Sequence, residues 1–190
     1  MFFFCIGEYM INLLGKDMTS LQIIAQIIGI VGVIEYSFVT HQKTKKRVLI
    51  IQIIGACLYG TQYILLGGWS ALITCLLNIL RDIVFYQFEK KNKDIPKLYF
   101  IIFVILAITI NIFTFNGIIS LIPLFVVICS TWAIWQKNLK KYRYMALFTN
   151  FIWAIYNFSY MAYVSFIGNV IQFISACIAI IRFNFINKDK

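Results

Sequence analysis

The sequence predicts an all-α integral membrane protein with seven transmembrane helices, arranged as two parallel three-helix bundles joined by a linker helix. Hydrophobic residues make up 62% of the 190 residues and charged residues only 13%, whereas soluble domains carry about 25% charged residues. Apolar stretches long enough to cross a bilayer alternate with short basic clusters. The second half of the chain also repeats the pattern of the first half. These three observations together define the predicted fold class.

The predicted elements divide the chain into four parts. Residues 1–17 form an N-terminal extension too short to span a bilayer, and a translation start at Met18 remains open. Residues 18–88 form the first three-helix repeat, residues 89–115 a charged linker with a connector helix, and residues 116–190 the second repeat with a short basic tail. The expected spans are Ser20–Thr40, Val48–Leu66, Gly67–Phe88, Leu98–Phe115, Gly117–Trp135, Tyr144–Ala162 and Val164–Ile186.

The net charge of +10 is concentrated in loops and does not follow one helix face, so the expected partner is a lipid bilayer and not nucleic acid. Loops that follow the first, third and fifth spans carry the basic residues, which predicts a multi-pass protein with its N-terminus outside and its C-terminus in the cytoplasm. The three clusters are Lys43, Lys45, Lys46 and Arg47; Lys90, Lys91, Lys93 and Lys97; and Lys137, Lys140, Lys141 and Arg143.

The third span carries polar residues that are costly in a membrane. Asn78, Arg81 and Asp82 recur at i, i+3 and i+4 and therefore share one helix face. A charged side chain at mid-membrane costs roughly 2.5–3.5 kcal/mol, so this face should meet a partner helix or a watery cavity. Glu35 lies at a comparable depth in the first span, which predicts a Glu35–Arg81 ion pair within an intramembrane charge network of Glu35, Arg81 and Asp82. Whether this network only holds the bundle together or lines a solute path stays open.

Catalytic and metal sites find little support in the sequence. The five cysteines form no C-x-x-C pair, and His41 is the only histidine, predicted to lie on the surface. No H-E-x-x-H or G-x-S-x-G motif is present. The protein is therefore not expected to be an enzyme, and neither a metal nor a cofactor is expected.

Four stretches carry a resemblance to a known family: Asn78–Arg81, Ser130–Trp135, Trp153–Phe158 and Ile180–Phe183. In these the chain resembles the YgjV family of bacterial inner membrane proteins, within the SWEET, PQ-loop and PnuC-like (MtN3-like) superfamily. The resemblance implies a SWEET-like 3+1+3 arrangement in the bacterial cytoplasmic membrane, with a solute site between the bundles.

Sugar-transporting relatives have a Trp on the second helix and an Asn on the third helix of each bundle, beside the substrate. Trp153 and Asn78 match this pattern here. The basic loops of the two halves align at an offset of 94 residues. The tyrosines suggest an offset of 97, which places Ala56 opposite Trp153, and the arginines suggest one of 101. Larger offsets would require extra residues in the second copy.

The expected function is transport or facilitated passage of a small polar molecule of the sugar, nucleoside or vitamin-precursor type. Aromatic residues would offer stacking faces and amides would offer paired donors and acceptors. A non-transporting membrane scaffold or sensor with the same fold is the alternative, and homo-oligomerisation remains open. The expected substrate-binding residues are Tyr59, Asn78, Trp153, Asn157 and Gln172.

Overall fold

A computed structural model of the chain describes residues 20–66, 69–113, 121–159 and 163–186, without the side chains of 69–71, 123, 157, 159 and 163–165. These ranges contain seven α-helices and no strand, which confirms the all-α prediction. The predicted extension 1–17 lies outside them. The helices are α1 Ser20–Ser37, α2 Lys45–Leu65, α3 Trp69–Lys90, α4 Lys97–Phe113, α5 Leu121–Trp135, α6 Leu139–Ser159 and α7 Tyr163–Ile180. A 3₁₀ turn, Val39–His41, follows α1, and a π-helical turn, Ile181–Ile186, extends α7.

Three of the described helical segments are long and apolar enough to cross a membrane: Ser20–His41, Lys45–Leu65 and Phe166–Ile186. Lys97–Phe113 and Leu124–Trp135 are apolar but shorter. The remaining helices, α3 and α6, both contain charged side chains and are not among these candidates. Length and composition therefore identify a membrane protein, while the prediction of seven spans goes beyond them.

The helices are packed with small residues inside and large apolar residues outside. In α1 the buried positions are Ala25, Gly29 and Gly32, whereas Ile27 and Ile34 are more than half exposed. Small residues at helix contacts and aliphatic residues facing outward are typical of helices in lipid, where close backbone approach supplies the packing energy. The outer surface is therefore suited to acyl chains.

Each helix packs against the next one in the chain, and α7 also packs against α1. The seven described helices thus close into a ring. Gly168 of α7 makes the closing contact, because a methyl group added there would lie 3.2 Å from Val33 of α1. The close approach at Gly168 makes α1 and α7, the first and last described helices, direct neighbours.

The second helices of the two halves begin and end in the same register, and the third helices begin in it. Both ends of α6 lie 94 residues after the ends of α2, and α7 begins 94 residues after α3. Thr44 caps α2 by accepting from Arg47 N, and Asn138 caps α6 by accepting from Lys140 N; these two caps are also 94 residues apart. The offset of 94 predicted from the basic loops thus recurs at the helix starts and caps, while the offsets of 97 and 101 for the tyrosines and arginines stay predictions.

The most tightly packed region lies at the basic end of the ring, where α1, α3, α5 and α7 end and α2, α4 and α6 begin. Phe85 and Phe103 meet edge to face with ring centres 5.7 Å apart. The Trp135 indole Nε1 donates to the Ile95 carbonyl at 2.9 Å. The buried core here consists of Val39, Val48, Leu49, Phe85, Ile95, Phe103, Ala133, Ile134 and Tyr142.

Candidate functional site

The charged residues of α3 form a buried pair with each other. Arg81 Nε donates to Asp82 Oδ1 at 2.9 Å, and the two residues are 5% and 1% exposed. Arg81 Nη1 also donates to Thr131 Oγ1 of α5 at 3.1 Å. The guanidinium thus neutralises its neighbour and links the two halves of the chain, as a buried charge requires.

The predicted Glu35–Arg81 ion pair is therefore wrong. Adjacent helical residues point about 100° apart, but the long arginine side chain bends back far enough for its Nε to reach the next carboxylate. Within the charge network predicted from the sequence, only Arg81 and Asp82 form an ion pair. Both oxygens of Glu35 are buried and have no hydrogen-bond partner among the described residues.

A glutamine joins two tyrosines across the ring. Gln52 Nε2 of α2 lies 3.2 Å from the Tyr36 hydroxyl of α1 and 3.1 Å from the Tyr142 hydroxyl of α6, and it donates toward both. The charges of Arg81 and Asp82 act electrostatically on both hydroxyls. Five helices, α1, α2, α3, α5 and α6, therefore contribute to one polar cluster inside the ring.

Tyr59 continues this cluster away from the basic end. Its ring packs against Gly32 of α1, where a methyl group would lie 3.3 Å from the ring, and meets Tyr36 edge to face at 6.5 Å. Its hydroxyl interacts with the side chain of Gln172 on α7. We call this group of polar residues, Arg81, Gln52, Tyr36, Tyr59 and Gln172, the polar column.

An arginine clamp closes the basic end on the side of α1 and α7. Arg143 of α6 donates from Nε to the Thr40 carbonyl at 2.9 Å, from Nη2 to the Gln42 carbonyl at 3.0 Å, and from Nη1 to Asn184 Oδ1 at 3.1 Å. Its guanidinium also lies 4.7 Å from the centre of the Phe183 ring. The planar donor fork of arginine can make such contacts simultaneously.

A lysine makes the reciprocal contact. Lys45 Nζ, at the start of α2, donates to the Trp135 carbonyl at the end of α5 at 3.2 Å and pairs with Glu89 Oε1 at 3.2 Å. Each half therefore contributes one cation that binds the end of the first helix of the other half. A more exposed pair, Lys137 Nζ with Asp94 Oδ1 at 2.6 Å, lies in the adjacent loops and lowers the pKa of Asp94 through the hydrogen bond and the positive charge of the lysine.

His41 is half-buried and not a free surface residue as predicted. Its Nε2 lies 3.0 Å from Ser175 Oγ of α7. Ser175 donates its own hydroxyl hydrogen to the Ser37 carbonyl, so His41 Nε2 is the donor in the first bond. The end of α1 folds into the 3₁₀ turn over α7, and this turn brings the histidine to the serine.

Comparison with known proteins is consistent with this architecture. A model of the Imp-YgjV family, described as a bacterial inner membrane protein, matches residues 23–186. The chain belongs to this family. No curated protein and no solved structure matches it. The matched range includes six of the described helices completely and α1 from residue 23, so the polar column and both clamps lie within it.

The structure brings together only some of the residues predicted for a solute site in this Imp-YgjV protein. Tyr59 and Gln172 are in contact in the polar column. The side chain of Asn78 is half-buried on α3. Trp153 packs edge to face on Tyr156 at 5.4 Å. The side chain of Asn157 lies outside the described residues.

Sequence reasoning missed several residues of the site. Arg143 sits in a basic cluster that topology alone explains, so nothing in its position signalled a buried clamp. The tyrosines and the threonine are common in membrane helices, and their hydrogen-bond partners are up to 90 residues away in the chain. Mid-span Gln52 was the available signal, because a buried amide needs partners. The missed residues are Tyr36, Gln52, Thr131, Tyr142 and Arg143.

An apolar groove between α6 and α7 does not belong to this site. Its volume is about 360 Å³, and no polar atom lines its accessible surface. A polar solute would lose its hydrogen bonds to water there without replacement. The groove is lined by Phe151, Ala154, Ile155, Phe158, Phe166, Val170 and Phe173.

Proposed function

We propose that this Imp-YgjV protein is a transporter or facilitator of a small polar solute, of the sugar, nucleoside or vitamin-precursor type, with its site between the two halves. The observation that carries the proposal is the polar column. It runs along the interface of the halves and links α2 to α7 through Tyr59 and Gln172. Intramembrane polar and ionisable groups commonly mark solute routes.

The register of the two halves supports the same site. Trp153 on α6 lies 94 residues after Tyr59 on α2, and Gln172 on α7 lies 94 residues after Asn78 on α3. At this offset, Tyr59 and not Ala56 is the counterpart of Trp153. Both halves then offer one aromatic residue on the second helix and one amide on the third. This arrangement would enclose a solute between two stacking faces and two amides.

The proposal includes a SWEET-like architecture of two parallel three-helix bundles, α1–α3 and α5–α7, with α4 as the linker helix. The shared 94-residue spacing of α2 and α6 and the ring closure by α1 and α7 support it. Cross-half contacts also repeat: Arg81 bonds Thr131, and Ser175 bonds the Ser37 carbonyl, with partners 94 residues apart. Seven spans, an outside N-terminus and a cytoplasmic C-terminus complete the proposed topology.

Uptake into reconstituted vesicles tests the function. Purified full-length protein is assayed with a panel of radiolabelled sugars, nucleosides and vitamin precursors, against vesicles without protein. We expect saturable uptake of at least one solute class. If no solute in a broad panel enters faster than in empty vesicles, the transport proposal fails and a scaffold or sensor role is favoured.

Two variants and one control test the site. Asn78→Ala and Trp153→Ala should each abolish uptake while the folded protein remains in the membrane, because each removes a proposed solute contact. Asn111→Ala removes an amide of the same size from α4, outside the interface of the halves, and should leave uptake near the wild-type level. Undiminished uptake in both site variants would place the site elsewhere.

A further inference from the structure

Glu35 is a buried carboxyl group that the polar column leaves unpaired. It lies on α1, two residues before the helix ends at Ser37. Neither carboxyl oxygen has a hydrogen-bond donor within reach among the described residues, although both are shielded from solvent. The carboxyl packs over Gly55 of α2, where an added methyl group would lie only 2.6 Å from Oε2. Gly55 thus provides room for the carboxyl without providing a donor.

The cations near the ring interior are already engaged. Arg81 of α3 binds Asp82 and Thr131. Lys45 at the start of α2 pairs with Glu89. These groups leave the charge of a Glu35 carboxylate without a direct counterion.

The other titratable groups facing this region are neutral or lie farther out. Tyr36 of α1 and Tyr59 of α2 interact electrostatically with Glu35. On the α7 side, His41 in the turn is bonded to Ser175, and Arg182 is exposed beyond the end of α7. A buried carboxylate without a counterion or donor is strongly disfavoured, and protonation is the usual relief.

We propose that Glu35 is a proton-binding site whose carboxyl is neutral in this conformation, and that its proton couples solute movement to the proton gradient. The coupling rests on the transport function proposed above. Glu35 would take up one proton from water on one side and release it to water on the other, with no other bond made or broken. A metal cation would need several oxygen ligands, and the described residues contain no group of three or more His, Cys, Asp or Glu side chains.

Infrared spectroscopy of the purified protein tests protonation without requiring transport. We expect the C=O band of a protonated carboxyl at neutral pH in the wild type and its loss as the pH is raised. Glu35→Gln should lack this band, whereas Glu89→Gln, which removes a carboxyl paired with Lys45, should keep it. An unchanged band in a folded Glu35→Gln protein would overturn the proposal. Glu35→Asp provides a second variant, which should keep a protonated band but lose it at a different pH.

Vesicle uptake tests the coupling. With a solute taken up by the wild type, an imposed proton gradient should accelerate uptake several-fold. Glu35→Gln should retain downhill uptake but lose this acceleration, and Glu89→Gln should keep it. Equal acceleration in wild type and Glu35→Gln would overturn the coupling. A wild type that shows the carboxyl band but transports nothing would refute transport and coupling while confirming the proton site.

Discussion

The Arg81–Asp82 pair provides the sharpest test of how the charges are arranged. Arg81→Gln leaves the Asp82 carboxylate buried without its counterion. Asp82→Asn likewise leaves the Arg81 guanidinium buried without its counterion. Removing one member of a buried pair costs about 3–5 kcal/mol. For a chain of this length such a loss corresponds to a decrease in Tm of about 6–20 °C. The large size follows from the 2.9 Å contact between groups that are almost fully buried.

The double variant distinguishes pairing from independent effects. Arg81→Gln with Asp82→Asn leaves no uncompensated charge, so we expect it to cost less than either single change. The coupling energy should therefore exceed the cost of one single change, which is about 3–5 kcal/mol. The matched cycle combines Arg81→Gln with Glu35→Gln, and these two losses should simply add. Thermal unfolding of the detergent-purified variants provides the measurement. Strong coupling of Arg81 to Glu35, with none to Asp82, would refute the arrangement.

Three further predictions concern the clamps and the packing. Arg143→Lys should lower stability by at least about 1.5 kcal/mol in the same unfolding assay, because an ammonium cannot replace the donor fork that binds both halves; equal stability would exclude the clamp. Gly55→Ala should destabilise by about 1–3 kcal/mol through collision with Glu35, and Gly55→Ala with Glu35→Ala should recover part of the loss. Asp94→Asn removes the loop pair with Lys137. The stability that this pair contributes is present above the usual carboxyl pKa of about 4 and is lost as the pH falls, so the stabilities of wild type and variant should converge in acid. Added salt should reduce their difference in stability at neutral pH.

Part of the candidate site could be predicted from sequence because polar residues are conspicuous in apolar helices. Tyr59 and Gln172 were expected in one site and are in contact. The partner of Arg81 was predicted incorrectly, since helical spacing describes where a side chain leaves the backbone and not how far a long side chain bends back. Tyr142 and Thr131 could not be assigned, because each is an ordinary residue whose role depends on a helix that is distant in sequence.

The sequence by itself determined that the helices of this protein lie in a membrane and that apolar runs alternate with basic loops. Apolar runs of membrane length require helices, since backbone groups in lipid must bond within their own segment, and the basic loops divide those runs. Tertiary structure alone decided the ring closure of α1 on α7 and the choice of partners for each charge. The physical reason is that hydropathy acts on each segment locally. The partners of Arg143, Lys45 and Glu35 depend instead on which groups the packed helices bring within about 3 Å of each side chain.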